Sequence, residues 1–223
     1  MRSVWTIQPS DLLISAEALR ARRWVRNATA EMAAFDELAQ IPAADPQRAL
    51  QSLVDTVLHL YGAGSAGLGV LRPSSYGHAD FVWEVVSGAL AAHRGDGTPG
   101  NFSPCGLCLD IGTAIVLTRP ERAFTYLARV QPTIFESLIA PLYDADGTPL
   151  GALWVVHHDP TARFGADDVL IVERLAPATA VALKRTLAAH PATPDHRSRS
   201  AGPAHPTLDR CGTHRASGPA REN

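Results

Sequence analysis

The sequence predicts an α+β domain: an antiparallel β-sheet with N- and C-terminal helices on one face and cross-over segments and a pocket on the other. Three observations predict it. First, the apolar runs Leu138 to Tyr143 and Leu150 to Val156 flank Asp144-Ala145-Asp146-Gly147-Thr148-Pro149. Asp-Gly between two such runs signals a hairpin, because glycine takes the left-handed backbone of a tight loop. Second, Ala66 to Leu71 and Phe81 to Ser87 read as strands joined by a short turn, so they are expected to be antiparallel neighbours. Third, residues at helical spacing form apolar stripes before the first strand and after the hairpin.

Taken in order, residues 1–10 read as a flexible N-terminus. Ser10 then suits a helix cap, and no proline or glycine interrupts the chain from Asp11 to Gln40. Ile14, Ala18, Ala21, Val25, Ala28, Met32, Phe35 and Ala39 share one face, so residues 11–42 are expected to form an N-terminal amphipathic helix packed on its own domain or on a twin. Arg20, Arg22, Arg23 and Arg26 would suit a membrane or nucleic acid, but Glu17, Glu31, Asp36 and Glu37 dilute that basic character.

Residues 43–188 carry the domain proper. Asp45 is a natural cap, and Pro46 fits the first helical position, where no amide hydrogen is needed. Leu50, Leu53, Val54, Val57, Leu58 and Tyr61 make the buried stripe of the helix that follows, with His59 turned to solvent. The glycine-rich stretch Arg94 to Gly100 reads as a loop that cannot pack as an element. Ser103-Pro104 opens a short helical turn, Ala114 to Leu117 is a short strand, and Pro120-Glu121 starts another short helix. In the last helix Val169, Val172, Ala176, Ala180, Leu183 and Leu187 face inward, acids occupy the first turn, and Pro177 is expected to kink it. Residues 189–223 turn to Pro, Ser, Arg, His, Gly and Thr without periodicity and read as a disordered tail.

Composition narrows the class. Of the 223 residues 46% are hydrophobic and 19% charged, as in an ordinary globular protein, and the net charge of -2 gives no basic field to draw nucleic acid or anionic membrane. Polar residues follow Met1-Arg2-Ser3-Val4-Trp5, so no signal peptide is expected, and no stretch reaches the roughly 18 to 20 apolar residues of a membrane span. Three cysteines make no disulfide framework. A cytoplasmic, reduced location follows as the expectation.

Cys105 and Cys108 form Cys-x-x-Cys, a spacing that binds zinc or cycles between dithiol and disulfide. A structural zinc needs four ligands, and no second such pair exists. His157 and His158, adjacent in a strand, point to opposite faces and do not readily share a metal. Buried structural thiols are the favoured reading, with no metal and no cofactor expected. Trp83 and Trp154 could stack on a planar ligand, although strand aromatics more often fill a core. His157, His158 and Asp159 end a strand, where they could line a pocket mouth or satisfy loop backbone.

Gly64-Ser65-Ala66-Gly67-Leu68, Ser103-Pro104-Cys105-Gly106, Leu109-Asp110, Pro120-Glu121-Arg122, Glu136, Pro141, Gly151, Leu153-Trp154-Val155-Val156, His158-Asp159 and Arg163-Phe164 together carry a family pattern. Over roughly residues 46–187 the chain resembles a GAF domain, of the kind at the input end of bacterial sensor histidine kinases. The resemblance implies a regulatory module in signal transduction, with its pocket between the sheet and residues 94–135. It makes Ser103, Asp110 and Glu136 polar pocket contacts, beside Trp83, Cys105, Trp154 and His158. Two departures stand out. Gly165 follows Arg-Phe where the family has an acidic or Asn-like cap, and no Asn- and Gly-rich ATP site appears, so no kinase activity is expected.

The expectation is therefore a non-catalytic sensor domain. It would bind an unidentified small molecule or relay a signal through a homodimer formed by its terminal helices, with a histidine kinase or response regulator on a separate chain as its partner. The alternatives are a thiol-dependent reductase of the methionine sulfoxide type on the same fold and a purely structural dimerisation module. Methionine sulfoxide reductases space their cysteines more widely than Cys105 and Cys108, and neither cysteine precedes the histidine typical of bilin attachment.

Overall fold

The computed structural model describes residues 7–22, 45–73 and 79–189. Its centre is a six-stranded antiparallel sheet, in the order β3-β2-β1-β6-β5-β4. The strands are β1 (Ser65–Pro73), β2 (Ala79–Gly88), β3 (Gly97–Pro99), β4 (Ile115–Thr118), β5 (Glu136–Tyr143) and β6 (Pro149–His157). Helices α1 (Ala16–Ala21), α2 (Pro46–Leu60) and α4 (Ala166–Ala189) pack on one face, while α3 (Pro104–Ile111) and the 3-10 turns Pro120–Arg122 and Thr125–Arg129 cover the other.

Local chemistry explains most boundaries. Asp45 Oδ1 accepts from the Arg48 amide at 3.0 Å and Pro46 opens α2, as the sequence predicts. Leu50, Leu53, Val54 and Val57 are buried against the sheet, and His59 stays exposed. In the central hairpin, Gly147 has φ +80° and Asp144 Oδ1 accepts from the amides of Asp146 and Thr148 at 2.9 Å, which fixes the loop. Helix α4 buries Ile171, Val172, Leu175, Ala180 and Leu183, with Val169, Ala176 and Leu187 half-buried beside them. Pro177 lies within it on the exposed side.

Two sequence expectations are corrected. The single helix from Asp11 does not form. Gln8, not Ser10, precedes a 3-10 turn over Pro9–Leu12, and Ser15 Oγ caps α1 through the Ala18 amide. Between them Leu13 bridges to Leu117, and the Ile14 amide donates to the Val116 carbonyl at 2.9 Å. The chain covers the open edge of β4, and pairing there takes backbone groups a helix would need. The buried α1 residue is Leu19, while Ala18 and Ala21 are exposed. Residues 23–42 of the expected helix, and the tail from 190, lie outside the described residues. Second, the loop 94–100 does contain an element. Gly97–Pro99 pairs with Asp80 to Val82 as β3, which buries Thr98. The free edge of β2 supplies the ladder that the local glycines do not predict.

The two faces of the sheet differ by residue parity. Leu68, Val70, Leu138, Ala140, Leu153 and Val155 meet the helices; Ile139, Trp154 and Val156 meet the cross-over side. In β2 the register slips, with Leu68 opposite Val85 but Gly69 opposite Trp83. This bulge at Glu84 sends Trp83 to the cross-over side while Val85 stays on the helix side.

One node ties three chain segments together on the helix face. The Glu136 carboxylate, 1% exposed, accepts from the Phe164 amide at 2.7 Å and from Arg22 Nη1 at 3.1 Å, and the same Arg22 nitrogen donates to the Phe164 carbonyl. His157, opposite Glu136 in the β5–β6 ladder, stacks on the Phe164 ring at 4.2 Å. Burial pushes the His157 imidazole down from 6.5 to about 4, assisted by His158 and Arg163 and opposed by Asp159.

A pH dependence follows. The unfolded chain takes up a proton on His157 below pH 6.5, whereas the folded chain resists until about 4. Stability from this group is therefore complete above 6.5 and is lost as pH falls from 6.5 to 4, by up to about 3 kcal/mol before solvent screening reduces it. Urea midpoints measured across this window should drop in the wild type, and His157→Gln should flatten that slope.

Candidate functional site

On the cross-over side the sheet and α3 enclose a small cavity of about 40 Å³. Its floor is Trp83, Ser137, Ile139, Trp154 and Val156 from the strands; its roof is Pro104 and Cys105 from α3, with Leu90, Thr98, Leu127 and Ile134 at the sides. No lining residue carries a formal charge. The volume suits on the order of three water-sized positions.

Each element places its side chain for a local reason. Ser103 Oγ caps α3 through the Gly106 amide at 3.0 Å, and this directs Cys105 at the sheet. Trp154 lies flat over β1 because Gly67 has no side chain. A Cβ there would come 2.3 Å from Trp154 Cζ2. The Trp83 and Trp154 rings meet at 5.2 Å with their planes tilted by 50°. Cys108 sits one turn from Cys105, its thiol 3.4 Å from the carbonyls of Thr113 and Ile139.

Polar chemistry at the cavity is sparse and incompletely satisfied. Trp154 Nε1 is buried without a hydrogen-bond partner. Tyr126 feels both Cys105 and Thr98. Burial raises its phenol, the Cys105 thiol adds to that rise, and a hydrogen bond with the Thr98 hydroxyl opposes it. Burial pushes the Cys105 thiol from 9.0 to about 12, and Cys108 higher still, with Cys105 reinforcing the effect. Near neutral pH both are thiols, poor as nucleophiles and as metal ligands. Among the described residues no three His, Cys, Asp or Glu side chains gather as a metal site. No helix among them is long and apolar enough to cross a membrane.

Of the seven residues expected at a ligand site, Trp83, Cys105 and Trp154 line the cavity. The other four do not. Ser103 is the α3 cap, Asp110 is exposed on α3, and Glu136 lies on the opposite face of the sheet in the Arg22 node. His158 is tied at both ring nitrogens, Nε2 to Ser65 Oγ and Nδ1 to the Thr133 carbonyl, each at 2.9 Å, where it closes the sheet end. His157 and Asp159 do not line it either. Sequence reasoning missed Thr98, hidden in a stretch read as loop, and Ser137, whose place follows from the alternation of β5 once Leu138 is assigned to the helix face.

The chain matches the family model described as "GAF domain" over residues 43–184. No curated protein matches it. Among solved structures, it resembles the GAF domain of an Acinetobacter phosphoenolpyruvate-protein phosphotransferase at a TM-score of 0.59 and 12% identity, over 72% of this chain and 94% of that one. It is similar to the free methionine-R-sulfoxide reductase of Neisseria meningitidis, solved with its substrate, at 0.54 and 16%, over 75% and 97%. The GAF-B domain of DevS from Mycobacterium smegmatis matches at 0.51 and 21%, over 66% and 98%. These identities speak for the fold alone. The family model spans more than half of the sequence, and the chain belongs to the GAF domain family.

Proposed function

We propose that this GAF domain is a non-catalytic sensory module in signal transduction, binding a small molecule in the cavity under α3 and relaying its presence to the terminal helices. The observation that carries this reading is the alternation of β5. Ser137 and Ile139 floor the cavity, while Glu136 and Leu138 on the same strand hold Arg22, the Phe164 amide and the helix-side core. A molecule pressing on one face of this strand acts on groups that position α1 and the start of α4 on the other. Packed interiors transmit such displacement because they compress little. The output surface is the outer face of α4, where Leu170 and Val181, three turns apart, are each more than half exposed. That face suits a second copy of the chain or a separate signalling partner.

The reading as a thiol-dependent reductase has less support. The Neisseria reductase establishes that the fold is compatible with such chemistry, but here both cysteines are buried on one helix with their thiols pushed up. A purely structural dimerisation module remains the other alternative. It would leave the cavity without an occupant.

Native mass spectrometry of the full chain tests the sensor reading. The expected result is a dimer carrying a small additional mass that is released on unfolding; a monomer with no added mass contradicts it. For the thiols, in a Cys211→Ser background, alkylation of Cys105 by iodoacetamide near neutral pH should run about a thousandfold slower in the folded protein than in the unfolded one. Comparable rates would mark Cys105 as an available nucleophile and favour the reductase.

A further inference from the structure

Two walls of the cavity are fixed by a side chain that does not line it. Leu90 and Ile134 flank the space, and both sit outside the strands, so no sheet ladder holds them. Their backbone groups need partners from elsewhere. Ile134 is pinned from both sides. The Thr133 carbonyl accepts from His158 Nδ1 at 2.9 Å, and the Phe135 amide donates to the His157 carbonyl at 2.9 Å. Leu90 is pinned through a hydroxyl: its amide donates to Ser65 Oγ at 3.0 Å, and Ser65 Oγ lies 2.9 Å from His158 Nε2. One imidazole therefore stands between the two walls. Gly64 makes room for it, since a Cβ there would come 2.4 Å from His158 Cδ2.

The partners assign where the protons sit. A carbonyl only accepts, so Nδ1 carries the hydrogen facing Thr133. In the neutral ring Nε2 is then a bare acceptor, and the Ser65 hydroxyl is the donor beside it. The Gly64 carbonyl also lies 2.8 Å from that hydroxyl, but the Ala89 amide already serves it at 3.0 Å. Ser65 Oγ keeps a lone pair for the Leu90 amide. Ser65 is fully buried, so water offers no substitute if this chain of bonds is cut.

The geometry assigns His158 as a positioning residue of the cavity: the Nδ1–H tautomer of its ring relays one hydrogen bond to the segment bearing Ile134 and, through Ser65, another to Leu90. The distance between these two walls, and with it the width open to an occupant, is set by a ring that does not meet the occupant. This rests on the reading of the cavity as the ligand site and names the residue that governs its shape.

Two measurements on the full chain test this, and neither uses a ligand. In the wild type at about pH 8.5, well above the usual histidine range, long-range 1H–15N correlation should show His158 protonated at Nδ1 and bare at Nε2. The Nε2–H tautomer would overturn the relay, because Nδ1 could not then donate to Thr133. Amide hydrogen exchange is then compared between the wild type and His158→Phe, which keeps a ring and drops both bonds. The Leu90 amide should exchange about fivefold faster, the worth of one hydrogen bond, although its own acceptor Ser65 is untouched. The Phe135 amide should quicken to a similar degree, while amides at the centre of β5 and β6 keep their rates. Equal acceleration of every amide would make His158 a stability residue only, and unchanged rates at Leu90 and Phe135 would mean that the walls are held without it; either result overturns the inference. If His158→Phe does not fold, the tautomer decides alone. Each of these failures leaves the sensor reading standing, since the added mass sought by native mass spectrometry does not depend on how the walls are held.

Discussion

The carboxylate of Glu136 sits almost wholly out of water, and the arrangement of the helix face depends on its being satisfied. Left alone it would cost several kcal/mol, since a charged group loses its hydration on burial. It is met by the Phe164 amide at 2.7 Å and by Arg22 Nη1 at 3.1 Å, so a strand end, the entry to α4 and the N-terminal segment must arrive at one point together. Arg22 adds a bond to the Phe164 carbonyl, and the stacked His157 and Phe164 rings shield the node. These contacts span 142 positions of sequence, between Arg22 and Phe164, with no covalent link.

The opposite face obeys a different constraint, that of close packing around two indoles. Gly67 admits Trp154 against β1, and the bulge at Glu84 turns Trp83 toward the same side. The indoles, the capped helix α3 and strand β3 leave a small space rather than a filled core. Because β5 alternates, the node and the cavity are adjacent residues on opposite faces of one strand, Glu136 and Ser137. This gives the proposed relay a physical form: a shift in strand position, felt on both sides.

Much of the fold is legible in the sequence because its signals are local. The Asp45-Pro46 cap, the Asp146-Gly147 turn, Ser103-Pro104 and the stripe from Leu50 to Val57 each act within a few residues, and each forms as the sequence predicts. What fails is non-local. Leu13 and Ile14 leave their helical pattern because β4 offers an edge, and Gly97–Pro99 becomes a strand because β2 does. Trp83, Cys105 and Trp154 were readable as candidate site residues from their type and the family pattern. Glu136 was readable as notable but not as to which face it occupies. The family resemblance implied a ligand contact, whereas its partners, Arg22 and the Phe164 amide, are brought to it by the fold.

The most direct measurement is amide hydrogen exchange, resolved at Phe164. Residues 162–165 lie outside regular secondary structure, so an unanchored amide there would exchange at the rate of an unbonded loop amide. The Phe164 amide, held by Glu136, is expected to be protected to the level of the central β5 and β6 amides. Exchange of Phe164 at the rate of the surrounding loop would contradict it, because the node would not then join the sheet to α4.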